Sequence, residues 1–378
     1  MKLQNPFPEY GYFGSEYFCD REKETANLID ALQNGSNVTL MAPRRIGKTG
    51  LIHHAFERMK IEDKAVQCFY ADIFPAKTFT QMVELITNAV MGKLDTKSQS
   101  LKRRFNQFIS SMRPTMVPDA YSGLPSFSFS IEPQHSHQTL KQVFEYMKAS
   151  EQPCYLALDE FQQVSTFKEI GGDAYIRSLI QLSPNVHLIF SGSQQHLLSE
   201  MFISPKHPFF NSSQIMTIKE IALDRYYEFS NHFFLKQNRE IPHDVFTYIY
   251  ELVDGQTGYI QKILNRLYRT PDAPISIEDV HRVVIEIIGE QEVYFQNIYN
   301  LMTTNQAKLI TAIAKEGVVS KPTEQKFIHQ YLLPAPSSIN TALKTLINNE
   351  IIYRKANGDY IVYDRFFRIW LKHLGISF

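Results

Sequence analysis

Through the first 220 residues, short unbroken apolar runs alternate with stretches in which apolar residues recur every three or four positions. The runs Val38–Met41, Val66–Ile73, Cys154–Leu158, Val186–Phe190 and Ile215–Ile218 predict strands, the Cys154 run being apolar enough for burial on both faces of a sheet. Between them, Leu28, Ile29 and Leu32, then Leu51, Ile52, Ala55, Phe56 and Met59, fall at helical spacing, with further helices expected near 78–94, 139–149 and 173–182. Asn34-Gly35 closes the first of these helices. Strand–helix alternation of this kind predicts an α/β domain with a central parallel sheet between helical layers. The pattern lapses over 95–138, where Lys102, Arg103 and Arg104 precede a Pro/Ser/Gly-rich stretch and the alternating Phe127–Ile131; this is expected to be an insertion ending in a hairpin. From Leu223 to Gly289 only helical spacing remains, with breaks at Pro242, Gly255 and Pro271–Pro274. From Thr303 the rhythm changes again. Helices at 304–314, 323–332 and 336–348 precede strands Ile351–Arg354 and Tyr360–Val362 around Asn357-Gly358. A last helix holds Phe366, Phe367, Ile369, Trp370 and Leu374. Three helices and a two-stranded wing predict a winged helix-turn-helix. The expected divisions are 1–220, 221–300 as a helical lid, and 301–378.

With 44% hydrophobic residues, the 378-residue chain is no disordered or fibrous protein. Its 39 basic and 39 acidic residues balance, which argues against avid non-specific binding of polyanions. The balance is local, however. Residues 303–378 carry ten lysines and arginines against five acids, so the wing region is basic and the remainder acidic. Phosphate-backbone binding requires such a face, with Ser337, Ser338, Asn340, Thr341 and Lys344 on the recognition helix and Arg354, Lys355 and Asn357 on the wing. Winged helices also serve as protein-docking modules. Cys19, Cys68 and Cys154 form no CxxC, and neither His53-His54 nor His135-x-His137 has a third ligand at metal spacing; a reducing cytoplasm without structural zinc is expected. The opening MKLQNPFPEY lacks the charged and apolar regions of a signal peptide, and no run reaches the roughly 18 apolar residues of a membrane span. A soluble protein without a membrane partner is expected.

The run Ala42-Pro43-Arg44-Arg45-Ile46-Gly47-Lys48-Thr49 between a strand and a helix fits GxxxxGK[ST] but for Ala42, which serves only at negative φ. Such a loop cradles phosphate on backbone N–H groups at a helix N-terminus. Residues Pro43, Arg44, Arg45, Ile46, Gly47, Lys48, Thr49 and Gly50 are the expected nucleotide contacts, with Lys48 on the β- and γ-phosphates and Thr49 on Mg²⁺. Arg44 and Arg45 are equally readable as contacts to a neighbouring subunit or as solvated charges. Asp159 and Glu160 cap the buried strand: Asp159 would help hold Mg²⁺ and Glu160 would act as general base, the alternative being a strand that simply ends at solvent. Ser193, with Ser191 and Gln194, would stand beside the γ-phosphate if its strand lies between the loop strand and the Asp-Glu strand; otherwise it is a helix N-cap. Asp72 is a candidate support for metal or water, and Arg177 reads more readily as a surface arginine than as a group reaching another subunit.

These residues resemble a family. Phe18-Cys19-Asp20-Arg21-Glu22 is similar to an F-x-G-R-E entry box, and the loop to the G-P-R-R-x-G-K-T of archaeal-type P-loop ATPases, relatives of the AAA+ and STAND groups. Leu158-Asp159-Glu160 and Phe190-Ser191-Gly192-Ser193 resemble that family's Walker B and sensor 1 segments. Gly255-Gln256-Thr257 stands where a lid G-x-P is found, with Thr257 for Pro, and Pro208-Phe209-Phe210-Asn211-Ser212 lacks the arginine of a P-L-Y-G-R run. The resemblance implies an ASCE-type α/β core, ATP or ADP with Mg²⁺ as ligands, Phe18 and Thr257 as further nucleotide contacts, and a nucleotide-gated rearrangement of lid and winged helix. Three functions stay open on this basis: a slowly hydrolysing ATPase switch, an initiator-like or regulatory protein whose nucleotide controls affinity for double-stranded DNA, and a docking or self-associating protein that keeps nucleotide as a structural ligand.

Overall fold

A computed structural model describes residues 3–91, 114–118, 125–150, 152–167, 171–270, 274–355 and 357–373. Seven strands occupy its first part: β1 (Val38–Met41), β2 (Gln67–Asp72), β3 (Pro114–Pro118), β4 (Pro125–Phe129), β5 (Cys154–Asp159), β6 (Val186–Gly192) and β7 (Gln214–Thr217). Five of them form one parallel sheet in the order β2-β5-β6-β1-β7, while β3 and β4 pair antiparallel as a separate hairpin. The expected hairpin is therefore present, whereas Lys102, Arg103 and Arg104 lie outside the described residues. β5 runs between β2 and β6 and is buried at every position, the reason its sequence is apolar without alternation.

Helices cover both faces. Leu156, Leu158, Leu188 and Phe190 face a core completed by α3 (Phe79–Met91), α4 (Ser136–Lys148), α5 (Gly172–Gln181) and α6 (Gln195–Ile203). On the other face Val38, Leu40, Tyr155, Ala157 and Ile189 pack with α1 (Glu22–Gln33) and α2 (Lys48–Glu62), whose Leu51, Ile52, Ala55, Phe56 and Met59 are all buried. The period-2 alternation of the strands sends neighbouring side chains to opposite cores. α1 ends as its Asn-Gly pair predicts: Gly35 takes φ 82°, and the N–H groups of Gly35 and Ser36 return to the carbonyls of Leu32 and Ala31.

The chain divides into two compact units, one spanning Tyr10–Ile221 and the other Ala222–Phe378 joined by the segment Lys2–Glu9. In the second unit Phe7 is fully buried, its ring against Phe233, Phe234 and Tyr268, and Asn265 Nδ2 donates to its carbonyl at 2.6 Å. Four helices follow: α7 (Leu223–Leu235), α8 (His243–Leu252), α9 (Thr257–Arg269) and α10 (Ile277–Asn300). α10 continues past Gly289, where the expected helical run stopped, because Val280, Val283, Val284, Ile287, Ile288 and Phe295 keep one buried stripe across that glycine. Reciprocal caps, Ser276 with Asp279 and Thr303 with Gln306, open α10 and α11 (Thr304–Glu316). Then come α12 (Gln325–Tyr331), α13 (Pro336–Asn348), the antiparallel wing β8 (Ile352–Arg354) and β9 (Tyr360–Val362), and α14 (Arg365–Lys372). Leu374, expected in that last helix, lies outside the described residues. Among the described residues no helix is long and apolar enough to cross a membrane.

Candidate functional site

β1 ends at Met41 and delivers the chain into a tight loop that becomes α2 at Lys48. The loop turns on two left-handed residues, Arg45 at φ 64° and Gly47 at φ 101°, while Ala42 keeps negative φ and is fully buried. A Cβ built on Gly47 meets no atom within 4 Å, so the loop is open there in front of the α2 N-terminus, the electropositive end of a helix. Lys48 is buried, and its ammonium donates to the carbonyls of Ala42 and Pro43 at 3.0 Å each. Arg21, also buried, donates to the Ile46 carbonyl at 3.3 Å and pairs with Glu24 at 2.9 Å, bracing the loop from behind. Asp20, standing where the entry box has glycine, adopts φ 55°, a conformation aspartate tolerates better than most residues. Phe18 lies over the first turn of α2, close enough that a Cβ on Gly50 would be 3.1 Å from its ring.

The carboxylates arrive from β5, and parallel pairing decides what they meet. β6 lies between β5 and β1, so the ends of all three strands converge. Thr49 Oγ1 donates to Asp159 Oδ2 at 2.8 Å, and Tyr70 OH to the same oxygen at 2.6 Å; Glu160 N–H reaches Asp159 Oδ1 at 3.0 Å. Burial and the charge of Asp159 push the Tyr70 phenol pKa far up, so it stays protonated. Glu160 sits at φ 56° as the strand breaks into a short 3₁₀ turn, Phe161–Thr166. Its Oε2 accepts from the Ser193 N–H at 3.2 Å, the Ser193 hydroxyl at 2.8 Å and the Gln162 amide. Arg44 Nε in turn donates to Ser193 Oγ at 3.2 Å. α6 begins with Gln194 and no side-chain cap, so the Ser193 hydroxyl faces Glu160 instead of capping a helix. Asp72 pairs with Asp159 across β2 and β5; partial burial, with Asp159 and Glu160 nearby, raises its carboxyl pKa.

One carboxylate beside one hydroxyl, at the mouth of an anion cradle, suits a small oxygen-seeking cation that takes its remaining ligands from phosphate and water. Among the described residues no cluster of three or more His, Cys, Asp or Glu side chains is placed to hold a metal alone.

Residues 18–263 match the ATPase domain predominantly from Archaea. The chain belongs to that family. Residues 293–373 match a probable winged helix domain. Over 395 aligned residues the chain is 20% identical to an uncharacterised HTH-type transcriptional regulator of Methanocaldococcus jannaschii, covering 96% of this chain and 90% of that protein. The fold is similar to the Walker-type ATPase of Pyrococcus abyssi (TM-score 0.66, 17% identity, 97% of this chain and 99% of that one). It is also similar to the ORC2 protein of Aeropyrum pernix in its ADPNP–ADP complexes (TM-score 0.56, 13% identity, 100% and 99%). The Aeropyrum pernix ORC1 protein in complex with DNA is a more distant match (TM-score 0.50, 13% identity, 98% and 95%).

Of the candidates read from the sequence, Arg44, Lys48, Thr49, Asp159, Glu160 and Ser193 meet within the first unit. Arg45 is exposed, Ile46 is buried beneath the loop, and Arg177 lines a separate cleft of about 240 Å³ with Asn211 and Ser212. Thr257 belongs to the second unit and is the first residue of α9, the helical position at which proline is most at home and threonine is accepted. Spacing missed Gln162 and Tyr70. Gln162 follows Glu160 by two residues, but Tyr70 comes from another strand, and only pairing puts it beside Asp159. His53 and His54 diverge, His53 onto Tyr70 at 4.6 Å and His54 onto Phe18 at 4.6 Å. Tyr12 hydrogen-bonds both His54 and Glu57, and burial lowers the His54 pKa.

In the winged helix, Ser337, Asn340, Thr341 and Lys344 are exposed on α13 and Ser338 is half-buried. Two of the ten basic residues of this region are not surface charges. Arg365 and Arg368 are buried, and both pair with Asp254, at 2.6 and 2.8 Å. They bind the turn between α8 and α9 and are unavailable to a phosphate backbone, a correction to the simple charge count.

Proposed function

We propose that the protein is a Mg²⁺-dependent ATPase working as a nucleotide-dependent switch, with residues 1–220 as catalytic core, 221–300 as lid and 301–378 as winged helix. The observation that carries this reading is the junction of two distant segments: Thr49 hydrogen-bonded to Asp159, and Arg44 linked through Ser193 to Glu160. Pro43, Arg44, Arg45, Ile46, Gly47, Lys48, Thr49 and Gly50 would wrap the phosphates, Lys48 leaving the carbonyls of Ala42 and Pro43 for the β- and γ-phosphate oxygens. Phe18 and Thr257 are proposed to contact the rest of the nucleotide. Thr49 and Asp159 would hold Mg²⁺, which supplies charge neutralisation of the β- and γ-phosphates. Glu160 would take the proton of a water whose oxygen bonds to the γ-phosphorus as the bond to the β-phosphate oxygen breaks. For that step Glu160 must leave part of its present hydrogen bonding, so loss of its contacts to Ser193 and Gln162 is proposed to gate hydrolysis. ATP and ADP would differ in what Arg44 and Ser193 can hold, and that difference would bias lid and winged helix between two arrangements.

The test is Glu160→Gln. It should retain ATP while phosphate release stops, measured by separating bound nucleotide after a chase. Hydrolysis at the parent rate would remove Glu160 from the mechanism.

A second reading, control of DNA affinity by nucleotide, is favoured by the basic surface of the winged helix and by the DNA-bound relative of the fold.

A further inference from the structure

The carboxylate of Asp159 is more heavily engaged than a metal ligand alone requires. It is 5% exposed, and three donors reach it: Thr49 Oγ1 and Tyr70 OH on Oδ2, and the Glu160 N–H on Oδ1. An ionised carboxylate offers about four lone-pair directions, two on each oxygen. Both directions of Oδ2 are therefore filled, and Oδ1 keeps one. Tyr70 is held for this task from two sides. Its strand position opposite Ala157 aims it along β5, and its ring packs on His53, one helical turn beyond Thr49 on the same face of α2.

We infer that Tyr70 is a positioning residue that makes the proposed cation site selective for Mg²⁺ over Ca²⁺, by keeping Asp159 to a single open lone pair. The inference rests on the nucleotide reading above. Mg²⁺ is small, demands near-ideal octahedral geometry and keeps its waters, so one fixed acceptor on Oδ1 serves it through a bound water. Ca²⁺ is larger, tolerates irregular geometry and favours carboxylates that can close on it with both oxygens. With the phenol on Oδ2, that bidentate grip is blocked. Without it, one direction of Oδ2 opens and the carboxylate loses one of the three donors that fix its rotation.

The experiment is a titration with a fluorescent ATP analogue in Mg²⁺, in Ca²⁺ and in EDTA, for the parent chain and Tyr70→Phe. The phenylalanine ring retains the packing on His53. Tyr70→Phe should weaken Mg²⁺-supported binding about tenfold, the low end of what outer partners of a metal ligand are worth. Ca²⁺-supported binding should hold or tighten, and binding in EDTA should not move. His53→Leu, which keeps the hydroxyl but loosens the ring, should shift the Mg²⁺-to-Ca²⁺ ratio in the same direction by less. An unchanged ratio in Tyr70→Phe, or equal weakening in all three conditions, overturns the inference while leaving nucleotide binding intact. A parent chain that binds no nucleotide with either cation overturns the nucleotide reading, and this inference with it.

Discussion

Gly192 has no positive φ to explain it, yet a side chain there would displace Gln162. A Cβ at this position would stand 1.9 Å from Gln162 Oε1 and 3.0 Å from a Leu198 methyl. Gln162 is almost wholly buried, and its amide nitrogen holds Glu160 while its oxygen lies in the space that glycine leaves. Gly192→Ala should therefore push Gln162 off Glu160 and cost about 1–3 kcal/mol of stability as an overpacked site. Urea unfolding reads the stability, and single-turnover hydrolysis reads the base; parent-like values in both would show that the glycine is incidental. The loop, the acid pair and Ser193 are legible from spacing because each lies in one short segment. Gln162 and Gly192 face each other across 30 residues of sequence and become partners only when β5 and β6 pair. At the same scale, burial pushes the thiol of Cys68 up to about 12 and that of Cys154 to about 11. Raised values leave both as neutral thiols at pH 8. Iodoacetamide should leave Cys68 and Cys154 unlabelled in the native chain and label both in urea, as read by mass spectrometry; rapid native labelling would contradict their burial.

Elements add a constraint that patterning does not carry. The charge of residues 303–378 counts Arg365 and Arg368 of α14 among its basic groups, but both turn inward. Arg365 also donates to the carbonyls of Val362 and Tyr363, and Arg368 to that of Leu252, at the C-terminal end of α8. Burial lowers the Arg365 pKa, and the charge of Asp254 opposes that shift. Asp254 itself sits at φ 52° beside Gly255, at the turn that opens α9. The last helix of the winged helix is thus fastened to the helical segment preceding α10 by two guanidinium groups on one carboxylate. Asp254→Ala would leave two buried cations without their shared anion, at a cost of about 3 kcal/mol. Denaturant unfolding tests this, and a change below measurement error would count against the clamp. The same logic explains α10: glycine predicts a break, but a continuous buried stripe outweighs a local preference worth about 1 kcal/mol.

For the whole molecule, strand–helix alternation reveals the parallel sheet, and the change of rhythm at Thr303 reveals the winged helix. The strand order that brings β6 between β5 and β1 is not written in any one segment; it emerges from crossovers that bury both faces of β5. Attachment of Phe7 to the second unit is equally hidden, because a lone apolar residue between two prolines has no periodicity to read. After Arg365 and Arg368 are set aside, the accessible basic residues include Lys344 on α13 and Arg354 on the wing, with Arg354 stacked over Tyr360 at 5.5 Å. If this surface meets duplex DNA, Arg354→Ala with Lys355→Ala should lower affinity and reduce the slope of log affinity against log salt by about 2, roughly one per lost phosphate contact. Identical salt slopes for parent and double variant would remove the wing from any DNA interface.

The 42–49 loop and the Asp159–Glu160 pair are proposed to close around one magnesium-bound triphosphate. Calorimetric titration of ATP into the parent chain and into Lys48→Ala, each with Mg²⁺ and with EDTA, tests that closure most directly. One equivalent should bind to the parent chain, with binding weakened by EDTA and lost in Lys48→Ala. ATP binding that is indifferent to both the cation and the lysine would contradict it.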